Sequence, residues 1–210
     1  MYPDLPGHYD DNPTPGSALA ADIALYWNNY MFIGRRECNL AWGLNISNIG
    51  SKINYGSDYS FFIPTNLRLG INLSVPLNEF NRFSISAEAN KLLVPSLPLQ
   101  QTDETNEDYQ ERLREDYYDK SSISGIFTSF SDSERGFKGE MEEIQWSLGA
   151  EYVYNEKFFL RAGYHNESEM QGNRCYATFG AGFKLNVLAI DASYCCATTA
   201  GNPLDQTLRV

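Results

Sequence analysis

The chain has 210 residues, which is enough for one domain with a full core, and we expect residues 1–210 to form a single domain. Its formal net charge of -11 excludes nucleic acid and other anionic polymers as partners, because phosphate binding needs clustered Lys and Arg. The 14 Tyr, 12 Phe and 16 Gly favour an all-β fold, and no apolar run approaches the roughly 18 residues of a membrane-spanning helix.

The amino-terminal residues Met1–Gly7 lack the features of a signal peptide. They contain no basic region, no apolar run and no small-residue cleavage site. If the protein is exported, we therefore expect its leader to be missing from this sequence.

Strict alternation of apolar and polar residues then predicts the first two strands. These are Ala18–Tyr26 and Asn39–Ile49, the second with almost no exception to the alternation. Each segment has about ten residues, which is the length that a tilted strand needs to cross a bilayer. The pattern therefore favours spanning strands.

A hairpin follows, in which Asn66–Leu77 and Arg82–Asn90 alternate in the same way around a short turn at Asn78 and Glu79. After a long polar loop the pattern predicts further strands at Ile144–Tyr152, Phe158–His165, Cys175–Lys184 and Leu188–Tyr194, and the beginning of another at Leu204–Val210. The sequence therefore predicts eight strands and the start of a ninth.

The polar face of these strands distinguishes a barrel from a soluble sandwich. It consists mostly of Gly, Ser, Asn and Ala with a few isolated charges, whereas a water-facing sandwich surface is usually rich in Lys, Glu and Thr. Small polar residues suit the crowded interior of a closed barrel. With turns centred on Glu156 and at Val187–Leu188, the isolated charges are expected to pair across strands in the lumen as Arg68 with Glu88, Glu151 with Arg161, and Lys184 with Asp191.

Short and long connections alternate, as they do in outer-membrane barrels. The short turns lie at Asn78, Asn155 and Asn186, and the long connections are Ser47–Ile63, Pro95–Met141, Asn166–Arg174 and Thr198–Asp205. The longest of these is expected to be extracellular and to form a short helix within Asp103–Asp119.

Apolar residues in this long loop are candidates for binding a partner, because apolar side chains in water are costly unless they pack on something. The candidate residues are Leu97, Leu99, Ile126, Phe127, Phe130 and Phe137. An alternative is that Ile126, Phe127 and Phe130 fold back as a lid over the barrel mouth. The two interpretations are compatible.

Nothing in the sequence predicts a catalytic or metal site. The cysteines Cys38, Cys175, Cys195 and Cys196 form no CxxC pair, and the chain has only two histidines, His8 and His165, so neither a zinc site nor a cofactor is expected. A lipid hydrolase would need a nucleophile with a base in reach, but there is no GxSxG motif and the spacing reveals no Ser–His pair. The chain is therefore expected not to be an enzyme.

Six stretches of the chain carry a family resemblance: Leu40–Ile53, Phe62–Gly70, Asn90–Pro95, Arg161–Tyr164, Gly180–Lys184 and Asn202–Arg209. They resemble the PorV family of outer-membrane accessory proteins of the type IX secretion system. The resemblance runs from about Gly16 to the end of the chain, in the order of the family. The chain departs from the family pattern in three expected ways. It lacks a signal peptide and early strands, it stops before its last strand is complete, and it has Cys175, Cys195 and Cys196 where other residues are expected.

The resemblance implies a FadL-like β-barrel in the outer membrane of a Gram-negative bacterium of the Bacteroidota, here a partial barrel, in contact with outer-membrane lipid. It implies three kinds of protein partner: the large translocon barrel, the carboxy-terminal signal domains of secreted proteins, and the surface attachment complex with its sortase. A FadL-like channel for hydrophobic small molecules is the alternative function. The polar, small residues of the lumen face lean against that alternative.

Overall fold

The computed structural model describes residues 15–56, 58–199, 202 and 204–210. The expectations for Met1–Gly7 and for His8 lie outside these residues. Nine strands are present: β1 Ala20–Ile33, β2 Arg36–Gly50, β3 Asn66–Pro76, β4 Asn81–Leu92, β5 Ile144–Tyr154, β6 Phe158–Asn166, β7 Tyr176–Lys184, β8 Ala189–Ala197 and β9 Thr207–Arg209.

All nine strands form one sheet whose order follows the chain from β1 to β9. The pairings from β4 through β9 are antiparallel. Within the described residues β1 and β9 are the two edges, so the sheet is not closed. The predicted fold class is confirmed: the chain is an all-β antiparallel sheet, consistent with a partial β-barrel.

The first hairpin is longer than the sequence pattern predicts. The alternation fails after Trp27, yet β1 continues to Ile33 and turns into β2 at Gly34 and Arg35. Gly34 has a φ of 67°, a conformation that glycine adopts without steric cost and that a tight hairpin turn requires. The turn, rather than the side-chain pattern, therefore sets the end of β1.

The connection between β4 and β5 carries the helices. They are α1 Asn106–Leu113, α2 Ser122–Thr128 and α3 Gly136–Glu142, with a π-helical turn, Arg114–Tyr118, directly after α1. Thr105 and Ser121 cap α1 and α2 by accepting hydrogen bonds from backbone N–H groups of the first turn. The predicted helix within Asp103–Asp119 is α1 and its π-helical extension.

Among the described helices, none is long and apolar enough to cross a membrane.

The chain divides into two compact units. The loop unit comprises residues 15–23, Ile46–Leu67 and Leu92–Glu140; the sheet unit comprises Ala24–Asn45, Arg68–Lys91 and the described residues from Met141 onward. An antiparallel bridge between Ile53 and Phe61 organises the first part of the loop unit. The sheet unit is built from the ladders of β5 to β9.

The apolar face of the strands is not buried. Seven of its large residues, Leu69, Ile71, Ile85, Leu148, Leu160, Phe179 and Ile190, are 50–58% exposed. The fully buried apolar residues among those described are few: Cys38, Leu93, Leu113, Val153 and Cys175. A sandwich would bury the alternating apolar residues between two layers, so this arrangement is not that of a sandwich.

Candidate functional site

The candidate partner-binding residues begin on an extended segment, Pro95–Leu99, whose backbone is held by side chains. Asp132 and Glu134 accept hydrogen bonds from the N–H groups of Ser96 and Leu99, at 3.2 and 3.0 Å. Tyr109 and Arg112 donate to the carbonyls of Pro98 and Leu99, at 3.2 and 2.8 Å. Backbone groups of this segment are therefore hydrogen-bonded by side chains, although the segment is not a strand of a sheet. The side chains of Leu97 and Leu99 remain 58% and 55% exposed.

Helix α2 presents an apolar face because its other face is packed. A Cβ on the buried Gly125 would lie 2.9 Å from the Phe62 ring and 3.0 Å from the Pro95 ring, so the helix touches both closely. At 100° per residue, Ile123 and Phe127 lie on the face opposite Gly125. Both are exposed, Phe127 by 73%.

Helix α1 is fixed through Arg112. Its guanidinium lies 2.8 Å from a carboxylate oxygen of Glu104 and 3.2 Å from one of Glu134. The hydrogen bond from Arg112 lowers the pKa of Glu104, and the two carboxylates raise the pKa of Arg112. Leu113 is buried on the same side of the helix, which leaves Glu107 and Glu111 exposed on the other.

A cluster of aromatic rings holds the π-helical turn. The ring of Tyr118 lies 4.5 Å from that of Tyr59, and the ring of Tyr117 lies 5.3 Å from that of Phe62. Lys52 Nζ donates to the carbonyl of Tyr118 at 2.7 Å and lies 4.1 Å above the Phe62 ring. Burial lowers the pKa of Lys52 and raises the pKa of Tyr117. This cluster joins the turn to the Ile46–Leu67 part of the loop unit.

The six candidate loop residues differ in how exposed their side chains are. Leu97, Leu99, Phe127, Phe130 and Phe137 are exposed, with Phe137 at 81%, whereas Ile126 is half-buried beside Gly125. The candidate set omitted Ile123, which is also exposed and lies one helical turn before Phe127. Its i, i+4 spacing from Phe127 was the available signal. Whether these residues bind a partner or cover the barrel mouth stays a prediction.

On the polar face of the sheet unit, charged side chains meet across strands. Arg68 Nε lies 3.5 Å from a carboxylate oxygen of Glu88, and Arg161 Nε lies 2.7 Å from one of Glu151. Glu151 and Arg161 are directly opposite in the β5–β6 register. Their spacing follows from the turn at Asn155 and Glu156, where both residues have φ near 50° as in a type I′ hairpin.

The expected Lys184–Asp191 pair does not form, because the register of β7 and β8 differs from the expected one. Lys184 stands opposite Ala189, and Asp191 stands opposite Gly182. The hairpin closes between Leu185 and Leu188, whose N–H and carbonyl are 2.7 Å apart, so the turn lies one residue earlier than expected. Asp191 instead pairs with Arg161, at 2.5 Å from its guanidinium.

The structure shows a Ser–His pair that the sequence spacing did not reveal. Ser147 and His165 face each other in the β5–β6 register, with Oγ and Nδ1 2.9 Å apart. The imidazole stacks on Tyr176, and the pair lines a polar cavity of about 330 Å³. Among the described residues no carboxylate forms a hydrogen bond with the His165 ring, so the third group that orients a catalytic base is not seen here.

Beside this cavity a buried carboxylate organises the loop after β6. Glu167 accepts hydrogen bonds from Arg174 Nε at 2.6 Å, from another guanidinium nitrogen at 2.8 Å, and from Gln145 Nε2 at 2.7 Å. The hydrogen bond from Arg174 lowers the pKa of Glu167. The thiol of Cys175 lies 3.2 Å from the Glu167 carbonyl, which fits a structural role for this cysteine.

Within the described ranges, no group of three or more His, Cys, Asp and Glu side chains could hold a metal ion.

Residues 5–99 match the family model described as type IX secretion system protein PorV. Comparison with curated proteins finds no match.

Proposed function

We propose that the chain, of which residues 5–99 match the PorV family model of the type IX secretion system, is a PorV-like, non-enzymatic outer-membrane subunit that carries secreted proteins between the other parts of that system. In this proposal residues 1–210 are one barrel domain. The subunit binds the large translocon barrel, takes secreted proteins by their carboxy-terminal signal domains, and passes them to the surface attachment complex with its sortase.

The observation that carries this proposal is the exposure of apolar residues on a loop unit whose backbone is held by side-chain hydrogen bonds and close packing. Leu97 and Leu99 lie on a segment whose backbone is fixed by four side chains, and Phe127 lies on a helix packed through Gly125. Exposed apolar side chains on an ordered scaffold are typical of surfaces that bind other proteins. The loop unit thus supports a binding role.

The proposed location in the outer membrane of a member of the Bacteroidota is supported by the strands. Their apolar residues are about half exposed, and the polar face carries ion pairs instead. An uncovered apolar face of this kind is favourable against hydrocarbon and unfavourable against water.

A channel for hydrophobic small molecules receives less support. The cavity on the polar face, of about 590 Å³, is lined mainly by polar and charged side chains such as Arg82, Arg161, Glu151, Asn72 and Ser74. An apolar ligand would leave these groups desolvated without partners. The cavity therefore fits water or polar groups better than a lipid chain.

Affinity capture of the protein from outer membranes tests the proposal. We expect recovery of a very large barrel protein and of exported proteins that share a carboxy-terminal domain, and we expect Phe127→Ser to reduce recovery of the exported proteins. Met170→Ser, at an exposed apolar position in a different loop, is the matched control. Recovery of neither class by a correctly folded protein would contradict the carrier role.

A further inference from the structure

The polar cavity beside Ser147 and His165 lies on the polar face of the sheet unit, at the ends of β4, β5, β6 and β7 from which two long connections leave. Every side chain that lines it carries a polar group except Leu204. Its volume of about 330 Å³ is at the lower end of the range of roughly 300 to 1,000 Å³ that small-molecule sites span. The cavity is therefore large enough for one small polar ligand.

A chain of hydrogen bonds fixes one wall of this cavity. Asn90 Nδ2 donates to Gln145 Oε1 at 3.1 Å, and Gln145 Nε2 donates to Glu167 Oε1 at 2.7 Å. Glu167, whose side chain is fully buried, also accepts a hydrogen bond from Arg174 Nε at 2.6 Å. These side chains hold their positions before any ligand arrives, which lowers the entropy cost of binding one.

The same chain of hydrogen bonds leaves one acceptor unused. The ionised Glu167 carboxylate only accepts hydrogen bonds, so Gln145 must turn its Nε2 toward Glu167 and its Oε1 toward Asn90. Asn90 must then turn its Nδ2 toward Gln145. Its Oδ1 is left buried and accepts no hydrogen bond from any described residue. Because an unpartnered buried acceptor is unfavourable, the cavity favours a ligand that brings a donor to this oxygen.

The cavity also holds donors and a further acceptor with balanced charge. Arg68 Nε lies 3.5 Å from a carboxylate oxygen of Glu88, and both side chains are about half exposed. In the described part of the chain, Arg174 Nη1 and the Tyr176 hydroxyl donate no hydrogen bond. Each of the two arginines has a carboxylate partner, Glu88 or Glu167, so their charges are offset. An ion therefore gains little from this cavity by charge alone.

Hydroxyl groups match this arrangement better than other ligand groups do. A hydroxyl donates and accepts at one oxygen, so one hydroxyl can donate to Glu88 while it accepts from the neighbouring Arg68, and another can donate to Asn90 Oδ1. An ionised phosphate or carboxylate has no donor for Asn90. An amide carries its donor and its acceptor on different atoms, and an apolar ligand would leave all these groups desolvated.

We propose that this cavity is a carbohydrate-binding site that takes one neutral sugar unit. Asn90 and Glu88 accept hydrogen bonds from its hydroxyl groups, and Arg68, Arg174 and Tyr176 donate to them. This role goes beyond the carriage of proteins and does not depend on it.

Binding of glucose, galactose and mannose to the full-length protein tests the proposal. The protein is placed in phosphatidylcholine nanodiscs, which contain no sugar of their own, and binding is measured by calorimetry and by saturation-transfer NMR. We expect at least one of these sugars to bind with a dissociation constant of about 1 mM or lower. Inorganic phosphate, acetate and N-acetyl-trialanine amide should each bind at least about tenfold more weakly than that sugar.

Two substitutions then connect binding to the cavity. Asn90→Leu removes the unused acceptor and should weaken binding of the sugar by at least about tenfold. Tyr176→Phe keeps the ring that stacks on His165 and removes only the hydroxyl, so it should weaken binding several-fold without disturbing the fold. Asn72→Leu, on the polar face but outside this cavity, is the matched control and should bind the sugar as the unchanged protein does.

Failure of all three sugars to bind to the folded protein would overturn the inference. Tighter binding of phosphate or acetate would also overturn it, because the cavity would then be an anion site, and tighter binding of the peptide would make it a polypeptide site. An equal loss of binding in Asn72→Leu and Asn90→Leu, or no loss in Tyr176→Phe and Asn90→Leu, would show that the sugar binds elsewhere.

Discussion

At the scale of single residues, Lys52 shows how the loop unit holds its helices. Its ammonium group combines a hydrogen bond to the Tyr118 carbonyl with a position above the Phe62 ring. The lowered pKa of Lys52 reflects the burial that this arrangement requires. The hydrogen bond and the cation–π contact of the ammonium group must offset the cost of that desolvation. Lys52 therefore holds the π-helical turn in place.

Lys52→Met keeps the length and the apolar stem of the side chain and removes its charge. We expect it to destabilise the π-helical turn by about 1–2 kcal/mol, because both the hydrogen bond and the cation–π contact are lost. Amide hydrogen exchange of Arg114–Asp119 measures this. Lys157→Met, at an exposed turn position, is the control and should leave that exchange unchanged. Equal exchange in the two variants would show that Lys52 does not hold the turn.

Glu167 is the corresponding residue in the sheet unit, and its contribution depends on pH. The hydrogen bond from Arg174 lowers the folded pKa of Glu167 below its ordinary value. Its stabilising effect is therefore complete above that ordinary value and is lost as pH falls through the lowered folded pKa. The loop after β6 should loosen only in acid.

Glu167→Gln should therefore lower the free energy needed to open this loop by about 1–3 kcal/mol at neutral pH, because the charge-assisted hydrogen bonds are lost. The difference from the unchanged protein should shrink as the pH falls below the glutamate range. Labelling of the buried Cys175 by a reagent that is active in acid reports the opening, with the other three cysteines replaced. Glu169→Gln is the control, and a difference that persists unchanged in acid would rule out the ion pair as its cause.

At the scale of elements, the β7–β8 hairpin is where register decides which charges meet. Moving the turn by one residue shifts the strand pairing by two, which keeps Asp191 on the polar face but places it opposite Gly182. Gly182 has no side chain to occupy that position, and Arg161 from β6 reaches Asp191 there. Arg161 of β6 therefore forms ion pairs with both β5 and β8, through Glu151 and Asp191.

Cross-linking distinguishes the two registers of this hairpin. Directly opposed residues have Cβ atoms within about 5.5 Å, whereas diagonal neighbours are about 7 Å apart or more, which is too far for an unstrained disulfide. With the native cysteines replaced, Lys184→Cys with Ala189→Cys should oxidise readily. Lys184→Cys with Asp191→Cys should not. Preferential cross-linking of the second pair would restore the register that the sequence suggested.

The sequence predicts most strands because their apolar residues alternate against one environment. It misses the end of β1 because Trp27–Phe32 does not alternate, and there the Gly34 turn sets the boundary. It misplaces the β7–β8 turn because Asn186 can occupy either of two positions in a short hairpin. Local turn geometry, not hydrophobic pattern, was the missing information in both places.

The Ser147–His165 pair could have been predicted from the sequence. The register that sets Glu151 opposite Arg161 also sets Ser147 opposite His165, since Ser147 precedes Glu151 by four residues and His165 follows Arg161 by four. The exposed apolar face of α2 was harder to predict, since burial of Gly125 and exposure of Ile123 depend on Phe62 and Pro95, which are distant in the chain. Long-range packing of this kind leaves no periodic signal.

At the scale of the whole molecule, the strands have two faces that require different solvents. The apolar face is about half exposed along several strands, and the polar face carries paired charges. Neighbouring residues on one strand point to opposite faces, so the two environments can be compared one residue apart. In β6, Leu160 lies on the apolar face, and Phe159 shares the polar face with Arg161, whose guanidinium lies 5.1 Å from its ring.

Tryptophan placed at these two positions tests where the bilayer lies. With the three native tryptophans replaced by phenylalanine, Leu160→Trp in brominated phospholipid should be strongly quenched, because its ring would touch acyl chains. Phe159→Trp, the matched control, should be quenched little, since its ring faces the arginine and its ion pairs instead of lipid. Equal quenching at both positions would mean that the sheet does not separate lipid from a polar interior, and strong quenching at Phe159→Trp alone would reverse the two faces.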